Sequence, residues 1–301
     1  MVRRTVVLVV AAAALASCGG GGPARPDAAP SRTATSVSTV PTPVVPAERS
    51  AEPPLDRDPT RLARELDDAV TTVRDPAAEE TAVRKAAELE QLGVRSLVLA
   101  SRTYRRTVLA ALGPDAARQV RSDVHAGRLL TAITTPKRRF PPWRIVDPGP
   151  AEVLLGYYRE AERRTGVPWT YLAAINLVET RMGRIRGPST AGALGPMQFM
   201  PATWARYGAG GDINDPHDAI QAAARLLRAH GAPRDMAAAL WHYNPSSRYV
   251  GAVTAYARVM QTSPATYRGY WHWRVLYHLE RGTYVLPVGF PHVRPVRVPA
   301  G

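Results

Sequence analysis

The stretch Trp169-Thr-Tyr-Leu-Ala-Ala-Ile-Asn-Leu-Val-Glu-Thr180 is apolar almost throughout and closes on an acid. Pro168 suits the opening of a helix. Leu172, Ile175, Asn176 and Glu179 stand at i, i+3, i+4 and i+7, so they share one face. Glu179 therefore sits where the stripe predicts an aliphatic side chain. Partial burial disfavours the charged carboxylate and raises its pKa. A carboxyl that keeps its proton near neutral pH is a general acid of the kind sugar chemistry uses. The plainer alternative is a helix-end glutamate facing solvent and paired with Arg181 or Arg184.

Outward from this helix the text remains helical. Leu154, Leu155, Tyr158 and Ala161 make a stripe before it. After it, Asp215 reads as an N-cap, with Asp218 in the first turn of a helix running through Leu226 and Leu227 to Gly231. Asp235 starts a helix ending near Tyr243, and Ser247 to Gln261 forms the next. Upstream, Leu62, Leu66, Val70 and Val73 recur at helix spacing. Asp75-Pro76 reads as a helix start, Gly93 as a break, and Gly113-Pro114 as a stop followed by a new helix. Strand-like alternation is nearly absent. The pattern predicts an all-α chain: a helical unit over 150–262 preceded by a small helical hairpin or bundle over 59–135. A Pro-rich boundary lies between them. The Pro- and aromatic-rich tail, 263–301, is expected to be extended and to pack on the second unit.

The N-terminus speaks to location. Residues 1–17 read as a signal peptide: Arg3 and Arg4, then an apolar run too short to span a bilayer. Leu15-Ala-Ser-Cys18 looks like the lipobox of bacterial lipoproteins, and Cys18 is the one cysteine of the chain. A lone cysteine forms no internal disulfide, and lipidation accounts for its place after the apolar run. The alternative is an ordinary cleavage site with a chance cysteine. The Pro/Gly/Ser-rich segment to residue 58 lacks the apolar surface to fold and reads as a semi-rigid tether. The expected location is exported, lipid-anchored to the outer face of the cytoplasmic membrane within the cell envelope. The formal charge is +14, and +12 once Arg3 and Arg4 are removed. Such a surface favours polyanionic surroundings. The export signal and the lack of a nucleic-acid motif disfavour nucleic acid.

Three blocks in order carry a resemblance: Glu179-Thr180, Gly195-Pro-Met-Gln-Phe-Met-Pro201 and Ala239-Leu-Trp-His-Tyr-Asn244. Over about Pro150 to Gln261 the sequence resembles the soluble lytic transglycosylase, or goose-lysozyme-like, domain. The resemblance implies a lysozyme-like helical fold with a peptidoglycan strand in a groove. By position, Glu179 matches the single catalytic acid, and Ser189, Gln198, Met200 and Tyr243 match substrate-binding places. Thr180, where the family often has Ser, and Asn244 match supporting places. Met197, Trp204 and Asn244 are expected to be mainly structural. Pro245-Ser-Ser247 departs from the family's usual Ala-Gly at that point.

The resemblance also implies the reaction: cleavage of the β-1,4 bond between N-acetylmuramic acid and N-acetylglucosamine, leaving 1,6-anhydromuramic ends. It implies no metal or cofactor, and His242 reads as a packed or surface side chain. Partners are glycan strands, the membrane through Cys18, and cell-wall proteins. Two other readings stay open. A hydrolytic muramidase of the same fold needs a second carboxylate, for which Asp212 is the nearest candidate because Asp215 is better used as a cap. A non-catalytic peptidoglycan-binding lipoprotein needs neither Glu179 nor Tyr243. A solute-binding lipoprotein needs alternating strands and helices.

Overall fold

The computed structural model describes residues 58–299, which belong to one compact unit. The leader expected over 1–17 and Cys18 with its tether lie outside the described residues. Asp58, the last residue of the expected tether, instead caps the first helix by accepting from the amides of Thr60 and Arg61.

Four helices come first: α1 Pro59–Arg74, α2 Glu80–Leu99, α3 Arg102–Ala111 and α4 Pro114–Thr131. Leu62, Leu66, Val70 and Val73 are all buried along α1, as their spacing predicts. Asp75 closes α1 rather than opening the next helix. Its carboxylate accepts from the amide of Ala77 at 2.8 Å, a local turn that competes with helix. Gly93 does not break α2. It lies within that helix because α1 passes so near that a Cβ would meet Leu66 Cδ2 at 2.7 Å. Gly113-Pro114 does separate α3 from α4.

After a two-residue strand β1, Arg144–Ile145, come α5 Ala151–Thr165 and α6 Trp169–Thr180. Strand β2, Ile185–Arg186, pairs antiparallel with β1. Then follow α7 Pro201–Tyr207, α8 Pro216–Ala229, α9 Met236–Tyr243 and α10 Ser247–Thr262. All of α6 except Trp169 and Val178 is buried, so the central helix is apolar all round rather than amphipathic. Asp215 and Asp235 cap α8 and α9 as the sequence predicts.

The tail departs from expectation. It packs on the rest, but as helix α11, Thr266–His272, and an antiparallel sheet of β3 Val275–Leu279, β4 Gly282–Leu286 and β5 Val296–Arg297. Its alternation is shallow because β3 is buried on one face and half-buried on the other.

The accessory helices share the main core. Val73, Val83, Ala87, Ala126 and Leu130 join the cluster that includes Leu172, Ile175, Val253 and Tyr270. A second cluster, with Leu66, Leu97 and Val120, lies within α1–α4. Gln91 on α2 locks the junction of α11 and β3, donating to Arg274 O and accepting from Arg274 N, each at 2.8 Å. The 134–150 segment is threaded rather than loose: Lys137 N donates to His278 O, and Ile145 N to Phe290 O. The helices before α5 and the sheet after α11 are thereby brought beside the C-terminal end of α6.

Candidate active site

Glu179 lies in the last turn of α6 and is 4% exposed. Burial pushes its pKa up to about 8, partly opposed by Tyr249, whose hydroxyl donates to Oε1 at 2.7 Å. The solvent-facing alternative fails: Arg184 pairs at 3.8 Å with Asp147, and Arg181 gives a hydrogen bond to Leu177 O. Tyr249 was missed by the sequence reading. Its signal was a stripe of Tyr249, Val253, Tyr256 and Met260 at helix spacing on α10, which reads as plain core.

The backbone turns sharply after Glu179. Arg181, Met182 and Gly183 all take left-handed conformations, with φ of 53°, 60° and 85°. For the first two this costs about 1 kcal/mol each. Packing holds them: Met182 is buried, and its amide reaches back to Asn176 O at 3.2 Å. Thr180 lies at the hub. Its hydroxyl sits between Asn176 Oδ1 and Pro196 O, and accepts from Gly183 N at 3.0 Å. Thr180 thus joins the acid's helix to the Gly195–Pro201 block, and the change from Ser retains that hydroxyl.

That block is a tight turn. Leu194 and Phe199 exchange backbone hydrogen bonds of 2.9 and 2.8 Å. Gly195 has φ 74°, and a Cβ there would stand 1.8 Å from Ile213 O. Gln198 also has positive φ, 51°, and its side-chain amide donates to Gly195 O at 2.8 Å. Its Oε1 is buried with no hydrogen-bond partner. Met200 is half-buried at the N-cap of α7. Ser189 is buried, its hydroxyl accepting from Ala191 N and Ala193 N at 3.2 and 2.9 Å, so it shapes its own loop.

Tyr243 donates to Met197 O and stacks on Tyr249, with ring centroids 6.4 Å apart and planes 4° apart. Burial and the nearby Glu179 raise both phenol pKa values. Both therefore remain protonated donors. Met197 is fully buried, Trp204 packs edge-on to Phe199, and Asn244 is buried at the end of α9. His242 is exposed and stacks on His230 at 4.0 Å.

A cavity of about 130 Å³ opens from Glu179 on the side of the accessory helices and the sheet. Arg95, Val98, Trp143, Arg181, Trp273 and His278 contribute to its wall. Glu179 is the one carboxylate among its lining residues. Ser189, Gln198, Met200 and Tyr243 do not line it. Tyr243 instead stacks on Tyr249, and the Gly195–Pro201 block that carries Gln198 and Met200 is tied to the acid's helix through Thr180 and Pro196 O, so Glu179 stands between the cavity and these contacts. Trp143 links the two, since its Nε1 donates to Pro188 O at 3.0 Å. Asp212 is exposed, and its carboxylate accepts from Asn214 N at 2.8 Å within its own turn.

Asp215, His217 and Asp218 bring ligand atoms within 4.8 Å of one another, a grouping the sequence reading had not singled out. Those atoms are already engaged: Asp215 caps α8, Asp218 accepts from Asp212 N at 2.9 Å, and His217 meets Glu160 at 3.3 Å.

Residues 156–263 match the family model of the transglycosylase SLT domain. This stretch is a transglycosylase SLT domain. The SLT domain accounts for the lysozyme-like helical fold and for a transglycosylase-type action on peptidoglycan. Glu179, Thr180, Ser189, Gln198, Met200, Tyr243, Asn244 and Tyr249 all fall within it, whereas α1–α4, α11 and the sheet β3–β5 fall outside. No curated protein and no solved structure matches the chain.

Proposed function

We propose that the chain is a lytic transglycosylase that cleaves the bond between N-acetylmuramic acid and N-acetylglucosamine and leaves 1,6-anhydromuramic ends. One observation carries this: a buried carboxyl, protonated at neutral pH, is the one carboxylate lining its cavity among the described residues. Ordinary glycosidases need two carboxylates. Asp212, the candidate second, is exposed and engaged in its own turn.

With one acid, the reaction needs an internal nucleophile. Glu179 donates its proton to the bridging oxygen as the bond to C1 of the muramic residue breaks. The substrate's own 2-acetamido group stabilises the positive charge developing at C1. The Glu179 carboxylate then takes the proton of the C6 hydroxyl as that oxygen bonds to C1. The carboxyl is restored and no water is consumed. Tyr249 favours the ionised form through its hydrogen bond, easing the first proton transfer. Ser189, Gln198 and Met200 contact the glycan, with Tyr243 buttressing Tyr249. Cys18 tethers the enzyme to the outer face of the cytoplasmic membrane.

The test is mass spectrometry of peptidoglycan digested by the protein and by Glu179→Gln. Muropeptides one water lighter than hydrolysis products, absent with the variant, are expected. Reducing ends would instead establish a muramidase. Sedimentation onto walls without release would establish a binding protein.

A further inference from the structure

Arg95 belongs to α2, outside the SLT domain, yet lines the same cavity as Glu179. Its guanidinium meets only neutral acceptors among the described residues: Thr131 Oγ1 at 3.4 Å, His278 Nδ1 at 3.0 Å and Thr283 Oγ1 at 3.2 Å. Its Nε is buried with no hydrogen-bond partner. A desolvated cation without an anion is unfavourable. Burial lowers the Arg95 pKa to about 10, which still leaves it charged at neutral pH. Arg181 adds a second guanidinium to the wall, held by Leu177 O and lying 5.9 Å from the Trp273 ring centre. His278 reports the combined field: burial, then Arg95, then Arg181, drive its pKa down to about 3. It therefore stays neutral and neutralises neither cation. Glu179, protonated at neutral pH, does not neutralise them either.

We propose that this cavity is a carboxylate subsite, in which Arg95, with Arg181, receives the anionic side chain carried by the muramic residue of the substrate. The proposal rests on the function proposed above and adds a role for the accessory helices. N-acetylmuramic acid differs from N-acetylglucosamine by its lactyl group, which ends in a carboxylate or continues into a stem peptide bearing carboxylates. Arg is suited to such a group because its planar fork matches a carboxylate. The apolar walls of Val98, Trp143 and Trp273 lower the local polarity, and a pairing made there is stronger than in water. An accessory helix would thus select the muramic side chain while the SLT domain performs the cleavage.

The test measures binding to the full chain carrying Glu179→Gln, so that ligand is not consumed. Three tetrasaccharides are compared: a muramic acid-containing one with stem peptides, the same with peptides removed to free the lactyl carboxylate, and a neutral N-acetylglucosamine tetramer. The neutral ligand is expected to bind roughly tenfold or more weakly than the preferred anionic one, the weight of one charge-assisted hydrogen bond. Adding Arg95→Gln should erase that difference and leave neutral binding unchanged, while Arg95→Lys should keep part of it. Loss confined to the peptide-bearing ligand assigns the carboxylate to the stem; loss confined to the peptide-free ligand assigns it to the lactyl group, and loss on both means that the pocket takes either carboxylate. Equal binding of all three ligands with Arg95 intact overturns the proposal, as does an equal loss on all three in Arg95→Gln. Should the unsubstituted protein release no anhydro ends while Arg95-dependent carboxylate binding persists, the proposed reaction fails and the subsite stands.

Discussion

Two places among the described residues bury acids, and only one of them opens to a cavity. Glu179 is held by one neutral phenol and lines a cavity. Glu90 and Asp123 are also buried, but where α2, α4 and α11 meet. There Gln119 donates to Glu90, Tyr270 donates to Asp123, and Arg74 donates to Gln119 at 2.7 Å. Desolvation raises all three carboxyls: Glu179 to about 8, Glu90 to about 7, and Asp123 also upward, pushed further by Glu90. Protonation near neutral pH is therefore common to both sites. Access separates them. A proton that can reach a glycosidic oxygen can serve catalysis, whereas one sealed among helices ties the accessory helices to α11.

The largest effect should separate these roles outright. Glu179→Gln is expected to lower the rate of bond cleavage by about a thousandfold, in the range for loss of a general acid. Glu90→Gln, a similar change at the sealed site, should leave cleavage within a few-fold. Comparable losses in initial-rate assays of the two variants would erase the distinction. Next comes the scaffold that holds the open site. Gly195→Ala should destabilise the protein by about 3 kcal/mol or more in denaturant titration, since its new Cβ would collide with the Ile213 carbonyl. A fully stable variant would show that the turn relaxes freely.

Tyr249→Phe sharpens the comparison at the acid itself. Removing the hydrogen bond that favours the carboxylate should lower the rate about tenfold and move the alkaline limb of the pH profile upward. An unshifted limb would mean that Tyr249 only packs. At the sealed site, Tyr270→Phe should cost about 1–3 kcal/mol of stability and leave the pH profile of cleavage unchanged.

A further effect is on stability against pH. Glu179 and Glu90 bind their protons more tightly folded than unfolded, where the ordinary value is 4.5. Their contribution is complete below that value and is lost as pH rises through about 7 for Glu90 and about 8 for Glu179. Melting temperature should therefore fall across that window, and Glu179→Gln should flatten its upper half. An unchanged slope would place the Glu179 pKa at its ordinary value.

Much of the open site was legible because its signals are local. An acid on an apolar stripe, the Gly-x-Met-Gln turn and the Asp caps each act within a few residues. Burial of Glu179 and of all the named α1 positions followed directly. The partner of the acid was not legible. Tyr249 differs from its stripe-mate Tyr256 in where its hydroxyl points, which the crossing of α6 and α10 decides. Nor was it legible that the hydroxyl of Ser189, which the resemblance places at the sugar site, also accepts from two amides of its own loop. Arg95 gave no signal because an arginine on a helix of mixed charge reads as solvated surface. Only the sheet expected to be an extended tail, which brings His278 and Thr283 against it, makes Arg95 part of a wall.

The central claim is that Glu179 carries a proton at neutral pH and can give it up. Carboxyl-labelled ¹³C NMR across a pH titration, with Glu179→Gln for assignment, tests it directly. The account predicts a resonance, absent in the variant, whose midpoint lies near the raised value of about 8. A midpoint near the ordinary 4.5 would contradict it, leaving an ionised Glu179 unable to act as the acid at neutral pH.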